Sequence, residues 1–180
     1  MRWFDLQKTL NARRLALEVM HEDENGTIAD AVAVNAHCHM LRSDTVASGI
    51  IKIEMVNAKG EYKHVVPGSE LFKLVTGGQH LFGAVTHVIF RVVPNKLLEY
   101  SAKKVLLHEY DKYFKEMKSD KTIVSHQLEL SIDPYNLFHA GIAINYREKK
   151  TNPVISKLDE SKSKTNRDTM LENLAKSSKV

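Results

Sequence analysis

Two stretches of this 180-residue chain carry residue types that can do chemistry on a ligand. The first is Gly77-Gly78-Gln79-His80-Leu81-Phe82-Gly83. Glycine tolerates positive φ and lets backbone approach a ligand closely, because no Cβ stands in the way. The same cluster also reads as a plain helix-to-strand turn, and taken alone it favours that reading. The second stretch is Thr27 to His37, rich in Ala and Val, which runs into Cys38 and His39. In extended chain His37 and His39 would point to one side and Cys38 to the other. A structural zinc site needs about four ligands at suitable spacing, and Cys38 is the only cysteine. A cysteine nucleophile needs a base and an electropositive setting, which sequence neighbours alone do not supply. Packing histidines and a buried thiol are the bland reading. His21, His64, His87, His108, His126 and His139 show no common spacing and read as structural. Paired carboxylates for acid–base work do not stand out, and neither a P-loop nor a GxGxxG fingerprint occurs.

The elements that must position these residues follow from local patterns. Trp3, Leu6, Gln7 and Leu10 predict a short helix over Trp3 to Leu10. Leu15 to Met20 is apolar and fits a short strand. Acidic Glu22, Asp23 and Glu24 lead into the turn pair Asn25-Gly26. Thr27 to His37 fits a buried strand or a buried helix, and periodicity does not decide. Gly49 to Val56 alternates, with Ile51, Ile53 and Met55 on one face and Lys52 and Glu54 on the other, which predicts a half-buried strand. Asn57 to Gly60 is a turn and Glu61 to Val66 the returning strand of a hairpin. Ser69 is a good N-cap and Glu70 suits the first turn of the helix that follows. Gly77-Gly78 ends that helix. Ala84 to Val93 is the strongest strand in the chain, and Pro94 stops it. Lys96 to Leu107 holds a further strand. Tyr110, Tyr113, Phe114 and Met117 fall at helical spacing. Thr122 to Ile132 alternates again, with Ile123, Leu128, Leu130 and Ile132 as candidates for burial, and Ile142 to Tyr146 is a last short strand. A short helix is expected near Thr169 to Lys176, in a polar tail expected to be mobile. The connections are too short for parallel crossovers, so the expected fold class is α+β, an antiparallel sheet with flanking helices.

Hydrophobic residues make up 43% and charged residues 27%, a globular composition. No apolar run approaches the roughly 18 residues of a membrane helix, and Met1 to Arg14 holds no apolar signal core. One cysteine permits no internal disulfide, which fits a reducing, cytoplasmic setting. The net charge is +4. Residues 147–180 hold nine Lys or Arg and five Asp or Glu, and the rest of the chain holds 17 of each sign. The whole surplus therefore sits at one end. No aromatic residue is interleaved with it, so the stacking half of a single-strand nucleic-acid site is missing and no nucleic-acid partner is expected.

Taken in order, these stretches resemble the FAD-linked oxidase family, the vanillyl-alcohol oxidase/PCMH type of FAD-binding domain. The branch with sugar-lactone oxidases and decaprenylphosphoryl-ribose oxidase is the most similar. That family runs from Thr-Val-Gly-Gly to Asn-x-His-Gly, then through a Ser-Phe/Ile strand and an Ala-Asp-Gly hairpin. A Glu-Leu-Phe helix follows, then a Gly-Gly-x-Gly-Leu-Phe-Gly turn and a Val-Ile-Thr strand closing at Pro-Asn. Here the series is Thr27-Ile28-Ala29-Asp30, Asn35-Ala36-His37-Cys38, Ser48-Gly49-Ile50 and Asn57-Ala58-Lys59-Gly60. It continues with Glu70-Leu71-Phe72, Gly77 to Gly83, Ala84-Val85-Thr86 and Pro94-Asn95. Order and gaps agree over residues 3–100, which is more specific than any single motif. Ala29, Asp30, Cys38 and His80 stand at family glycine positions.

The resemblance implies the second subdomain of a PCMH-type FAD-binding domain over residues 1–100, the start of a substrate or cap region over 101–148 and a basic polar tail over 149–180. It implies FAD as cofactor. Thr27, Ile28, Ala29, Asp30, Val34, Asn35, Ala36 and His37 would line the flavin, and Ala84 and Val85 would meet the adenine end through main-chain groups. It implies an oxidoreductase that acts on a CH–OH group of a sugar, alditol or lactone and passes hydride to flavin N5. The family's first FAD subdomain has no counterpart in the chain, so the expectation is a truncated member with weak or no activity alone. The alternative is a non-catalytic fragment that pairs with a separately encoded N-terminal FAD subdomain.

Overall fold

The apolar spacing of Trp3, Leu6 and Leu10 is realised in the computed structural model as helix α1, Trp3–Asn11, with Trp3 fully buried. The structure describes residues 1–21, 23 and 25–150. Glu22, Glu24 and the expected helix near Thr169 lie outside the described residues. The chain divides into two compact units, the first spanning Met1–Leu97 and the second beginning at Leu98.

In the first unit α1 is followed by β1 (Leu15–Leu17), α2 (Ile28–Ala33), β2 (Ile50–Val56), β3 (Tyr62–Val65), α3 (Glu70–Val75), β4 (Ala84–Phe90) and β5 (Val92–Pro94). One sheet has the order β3-β2-β4 and a smaller one pairs β1 with β5, all antiparallel. The stretch Thr27 to His37 resolves as a helix only over Ile28–Ala33. The strong run from Ala84 is not one strand: it leaves the main sheet after Phe90, and Val92–Pro94 pairs with β1 instead. The hairpin turn is set by Asn57, whose Oδ1 accepts from the amides of Lys59 and Glu61, while Gly60 takes a φ of 78°. Ser69 caps α3 as its sequence position implies, its Oγ accepting from the amide of Phe72.

The core of this unit gathers Trp3, Val32, Val46, Ile50, Ile53, Met55, Val65 and Phe72. Trp3 and Phe90 meet at 5.6 Å between ring centroids. Each such side chain contributes roughly 1.5–3 kcal/mol on burial. The alternation expected of β2 needs one correction. Ile53 and Met55 are buried, but Ile51 is 50% exposed and Ile50 takes its place inside. The register steps from Ile50↔Phe90 to Lys52↔Ile89, so Ile51 is an extra residue in a β-bulge. A bulge shifts the faces of the residues before it, which a period of two cannot foresee.

The second unit holds β6 (Leu98–Leu106), α4 (Tyr110–Ser119), β7 (Ile123–Leu130) and β8 (Ala140–Glu148). Its sheet has the order β6-β8-β7, antiparallel throughout. Central β8 buries Ile142, Ala143 and Ile144. The Tyr110, Tyr113, Phe114 and Met117 stripe is helical as expected, and its rings contact His126 on β7. Two of the burial candidates on Thr122 to Ile132 are outside: Leu130 is 40% and Ile132 81% exposed. Leu130 is the last residue of β7, an edge strand, and Ile132 lies in the connection to β8. No helix among the described residues is long and apolar enough to cross a membrane. The fold class is α+β with antiparallel sheets.

Candidate functional site

Thr27 sits one residue ahead of α2 with extended backbone, and its Oγ1 accepts from the Asp30 amide. This is ordinary N-capping chemistry. The same hydroxyl donates to Asp30 Oδ2 at 2.6 Å. At the other end Asn35 takes a φ of 46°. Its amide donates to the Val32 carbonyl, and the Ala36 amide reaches back to the Ala31 carbonyl. Those two bonds are a Schellman motif, with Asn35 at the left-handed position and Ala31 and Ala36 buried behind it. The side-chain Oδ1 of Asn35 is buried without a hydrogen-bond partner, a role the cap leaves unexplained.

The glycine loop docks on this helix through its backbone. The Gly77 amide donates to the Val32 carbonyl and the Gln79 amide to the Ala33 carbonyl. Gln79 and His80 are both left-handed, with φ of 48° and 63°. That conformation brings His80 Nε2 to 3.3 Å from Asp30 Oδ1. The Thr27 hydroxyl first, and His80 second, hold the Asp30 carboxyl below its ordinary range. A Cβ on Gly78 would lie 1.9 Å from the Leu74 carbonyl oxygen, and one on Gly83 2.3 Å from that of Val56. These two glycines therefore serve close packing within the protein. Between helix and loop lies a narrow crevice, partly open to solvent and lined by Ala33, Val75, Gly78, His80, Phe82, Gly83 and Val85.

The residues expected to line a flavin differ in burial. Thr27 and Asp30 meet at the start of α2, and Ile28 packs against the core. Ala29 is half-buried, Ala36 is buried and Val34 is 60% exposed. His37 forms an isolated antiparallel bridge with Thr45, while Cys38 donates its thiol to the Asp44 carbonyl at 3.6 Å. Val85 lines the crevice, and Ala84 pairs with Val56 on β4, an edge strand.

Against a flavin pyrophosphate these residues fit poorly at α2. The helix has six residues, its first amide donates to the Met1 carbonyl and the Asp30 amide to Thr27. An ionised Asp30 stands where a phosphate would have to come, and like charges repel. The crevice is also too tight to hold a ligand, whose pockets begin at roughly 300 Å³. The edge of β4 fits better, since an edge strand offers unpaired main-chain groups.

Two polar clusters were not foreseen from the chain. On the open face of β3-β2-β4, Glu54 stands directly between His64 and His87 across both strand pairs. Lys52 Nζ lies 2.6 Å from Glu54 Oε1, His64 and His87 Nδ1 lie at 3.5 and 3.6 Å from its two oxygens, and the Tyr62 hydroxyl donates to Oε2. The Lys52 hydrogen bond first, then that of Tyr62, hold the Glu54 carboxyl down at about 2. Among the described residues no three His, Cys, Asp or Glu converge on a metal position. In the second unit Tyr110, His126, Asn145 and Tyr113 form a continuous hydrogen-bonded chain. The signal for the first cluster was the hairpin register; for the second it was the helical tyrosine pair facing a strand.

No family model matches the chain, and no curated protein matches it.

Proposed function

We propose that the chain is a partial FAD-linked oxidase-type protein, the second subdomain of a PCMH-type flavin fold, with weak or no oxidoreductase activity alone. The reading is supported by the ordered series of motifs from Thr27 to Asn95 together with an antiparallel α+β first unit. The observation that limits it is Asp30, capped by Thr27 and bonded to His80 at the start of α2. Full-length relatives would oxidise a CH–OH group of a sugar, alditol or lactone. In this chain the edge of β4 at Ala84 and Val85 is the surface left for the adenine end of FAD, and the cytoplasm is the proposed setting.

Titration of FAD into the purified chain, followed by quenching of flavin fluorescence, tests this. The expected result is weak binding, above micromolar FAD and without substrate-driven bleaching; no binding even at high FAD removes FAD as this chain's ligand. Stoichiometric micromolar binding, with bleaching on addition of a sugar lactone or alditol, overturns it.

A second reading is favoured by one observation. Val34 and Leu81, next in sequence to the crevice-lining Ala33 and His80, are 60% and 83% exposed. Exposed apolar rims of this kind mark surfaces that another chain covers. The chain would then dock with a separately encoded N-terminal FAD subdomain. Co-expression with such a subdomain should give a single yellow complex on size exclusion, and V34E/L81E should abolish it. Two separate peaks from the unmutated pair would remove this reading.

A further inference from the structure

His126 is 9% exposed and Asn145 7% exposed, so this polar pair is sealed inside the second unit. Its hydrogen bonds fix where the protons are. Asn145 Nδ2 donates to the Tyr113 hydroxyl at 2.6 Å, which turns Asn145 Oδ1 toward His126 Nδ1 at 2.7 Å. A carboxamide oxygen only accepts, so Nδ1 carries the imidazole proton. The partner nitrogen of a neutral imidazole is then a bare acceptor. That nitrogen, Nε2, lies 2.8 Å from the Tyr110 hydroxyl. The Tyr110 phenol therefore donates to a base that cannot turn away, because Asn145 holds it and Phe114 and Tyr113 pack on it at 5.6 and 6.2 Å.

A phenol gives up an electron far more easily when its proton leaves in the same step. Without an acceptor, oxidation forms a strongly acidic cation radical; with one at hydrogen-bond distance, the neutral phenoxyl forms directly. Burial pushes the Tyr110 phenol up from its ordinary range, so it meets an oxidant with its proton in place. Tyr113 lacks this arrangement. Its oxygen accepts from Asn145, and Lys103 Nζ lies 5.6 Å over its ring, where a cation disfavours removal of an electron.

We propose that Tyr110 is a redox-active tyrosine and His126 its proton acceptor. In the step, Tyr110 loses one electron to an outer-sphere one-electron oxidant, of the class of small oxygen- or nitrogen-centred inorganic radicals. The phenolic O–H bond breaks and its proton forms an N–H bond at His126 Nε2. The products are a neutral tyrosyl radical, an imidazolium held by Asn145, and an oxidant reduced by one electron. Return of an electron from a reductant carries the proton back. The side chain of Tyr110 is only half-buried, so electron transfer needs no channel.

The test uses the full chain with photogenerated tris-bipyridine ruthenium(III) as oxidant, followed by freeze-quench electron paramagnetic resonance. The unmutated protein should give a long-lived neutral tyrosyl signal. Electron–nuclear double resonance should show one exchangeable proton and a histidine nitrogen coupled to it. Y110F should lose the signal, and Y135F, at an exposed tyrosine outside the cluster, should keep it. H126Q retains the phenol and should lose radical yield and lifetime. The nitrogen coupling is read on unmutated protein, so unfolding of a variant does not hide the answer. A tyrosyl signal without imidazole coupling, or one unchanged in Y110F, overturns the assignment.

Discussion

Glu54 shows how much one side chain can organise on an open sheet face. It sits on the middle strand, so its carboxylate is within reach of both outer strands and of Lys52 on its own strand. Lys52, Tyr62, His64 and His87 all reach it. With the folded carboxyl held at about 2 and the unfolded one near its ordinary value of about 4.3, the unfolded state binds the proton first as pH falls. Glu54 therefore stabilises the fold above about pH 4.3 and loses that contribution between there and about 2. E54Q should flatten this limb of the stability profile. Urea unfolding at steps between pH 2 and 7 measures it, and an unaltered acid limb in E54Q would place the pH dependence in other carboxyls. None of this was legible in the chain, where His64 and His87 lie ten and 33 residues from Glu54 and show no spacing rule. Only strand register puts them in one row.

At the scale of elements, local signals were legible and long-range ones were not. Ser69 as N-cap, Asn57-to-Gly60 as turn and the Tyr110-to-Met117 stripe each depend on neighbours within one helical turn or one hairpin. Those signals survive in any fold that keeps the segment. The bulge at Ile51 depends on how β4 lies beside β2, and the break after Phe90 on where β1 lies, so neither appears in the pattern of either strand alone. Helix α2 falls between the two cases. Small apolar residues fit both strand and helix, but Thr27 ahead of Asp30 and Asn35 behind it are cap residues at both ends, and they decide for helix. The C-terminal cap makes a sharp prediction. N35A and N35G remove the same buried amide oxygen and differ only in a Cβ at φ 46°. A left-handed conformation costs an L-residue about 1–2 kcal/mol that glycine does not incur. N35G should exceed N35A in stability by about that amount, read from denaturation midpoints at equal slope. Equal midpoints would mean that residue 35 leaves the left-handed region once its amide is gone.

For the whole molecule, the two units draw on different kinds of information. The first unit is where ordered motifs resemble a flavin fold, and its glycine loop and α2 do lie against each other, although Asp30 and His80 meet there. The second unit was read only as strands and a helix, yet it holds the buried tyrosine–histidine–asparagine chain, because partners 16, 19 and 32 residues apart converge only after β7 and β8 pair. Charge is the one property that belongs to the chain as a whole. The surplus of +4 resides in residues 147–180, where no Phe, Trp or Tyr occurs, while the remainder is balanced. Nucleic acid would then be held by counterion release alone. Such binding weakens by orders of magnitude as salt rises toward about 0.2 M, since each neutralised phosphate adds nearly one power of the salt concentration. Without aromatic platforms, the roughly 1–3 kcal/mol per stacked base that sustains single-strand binding is missing. Fluorescence anisotropy with a labelled single-stranded oligonucleotide should show weak, sequence-indifferent binding at low salt and none at about 0.15 M. Removal of residues 151–180, which takes away two of the four surplus charges, should weaken the low-salt signal. Saturable binding that persists at about 0.15 M salt, or that the deletion leaves unchanged, would move the nucleic-acid contact onto the folded units.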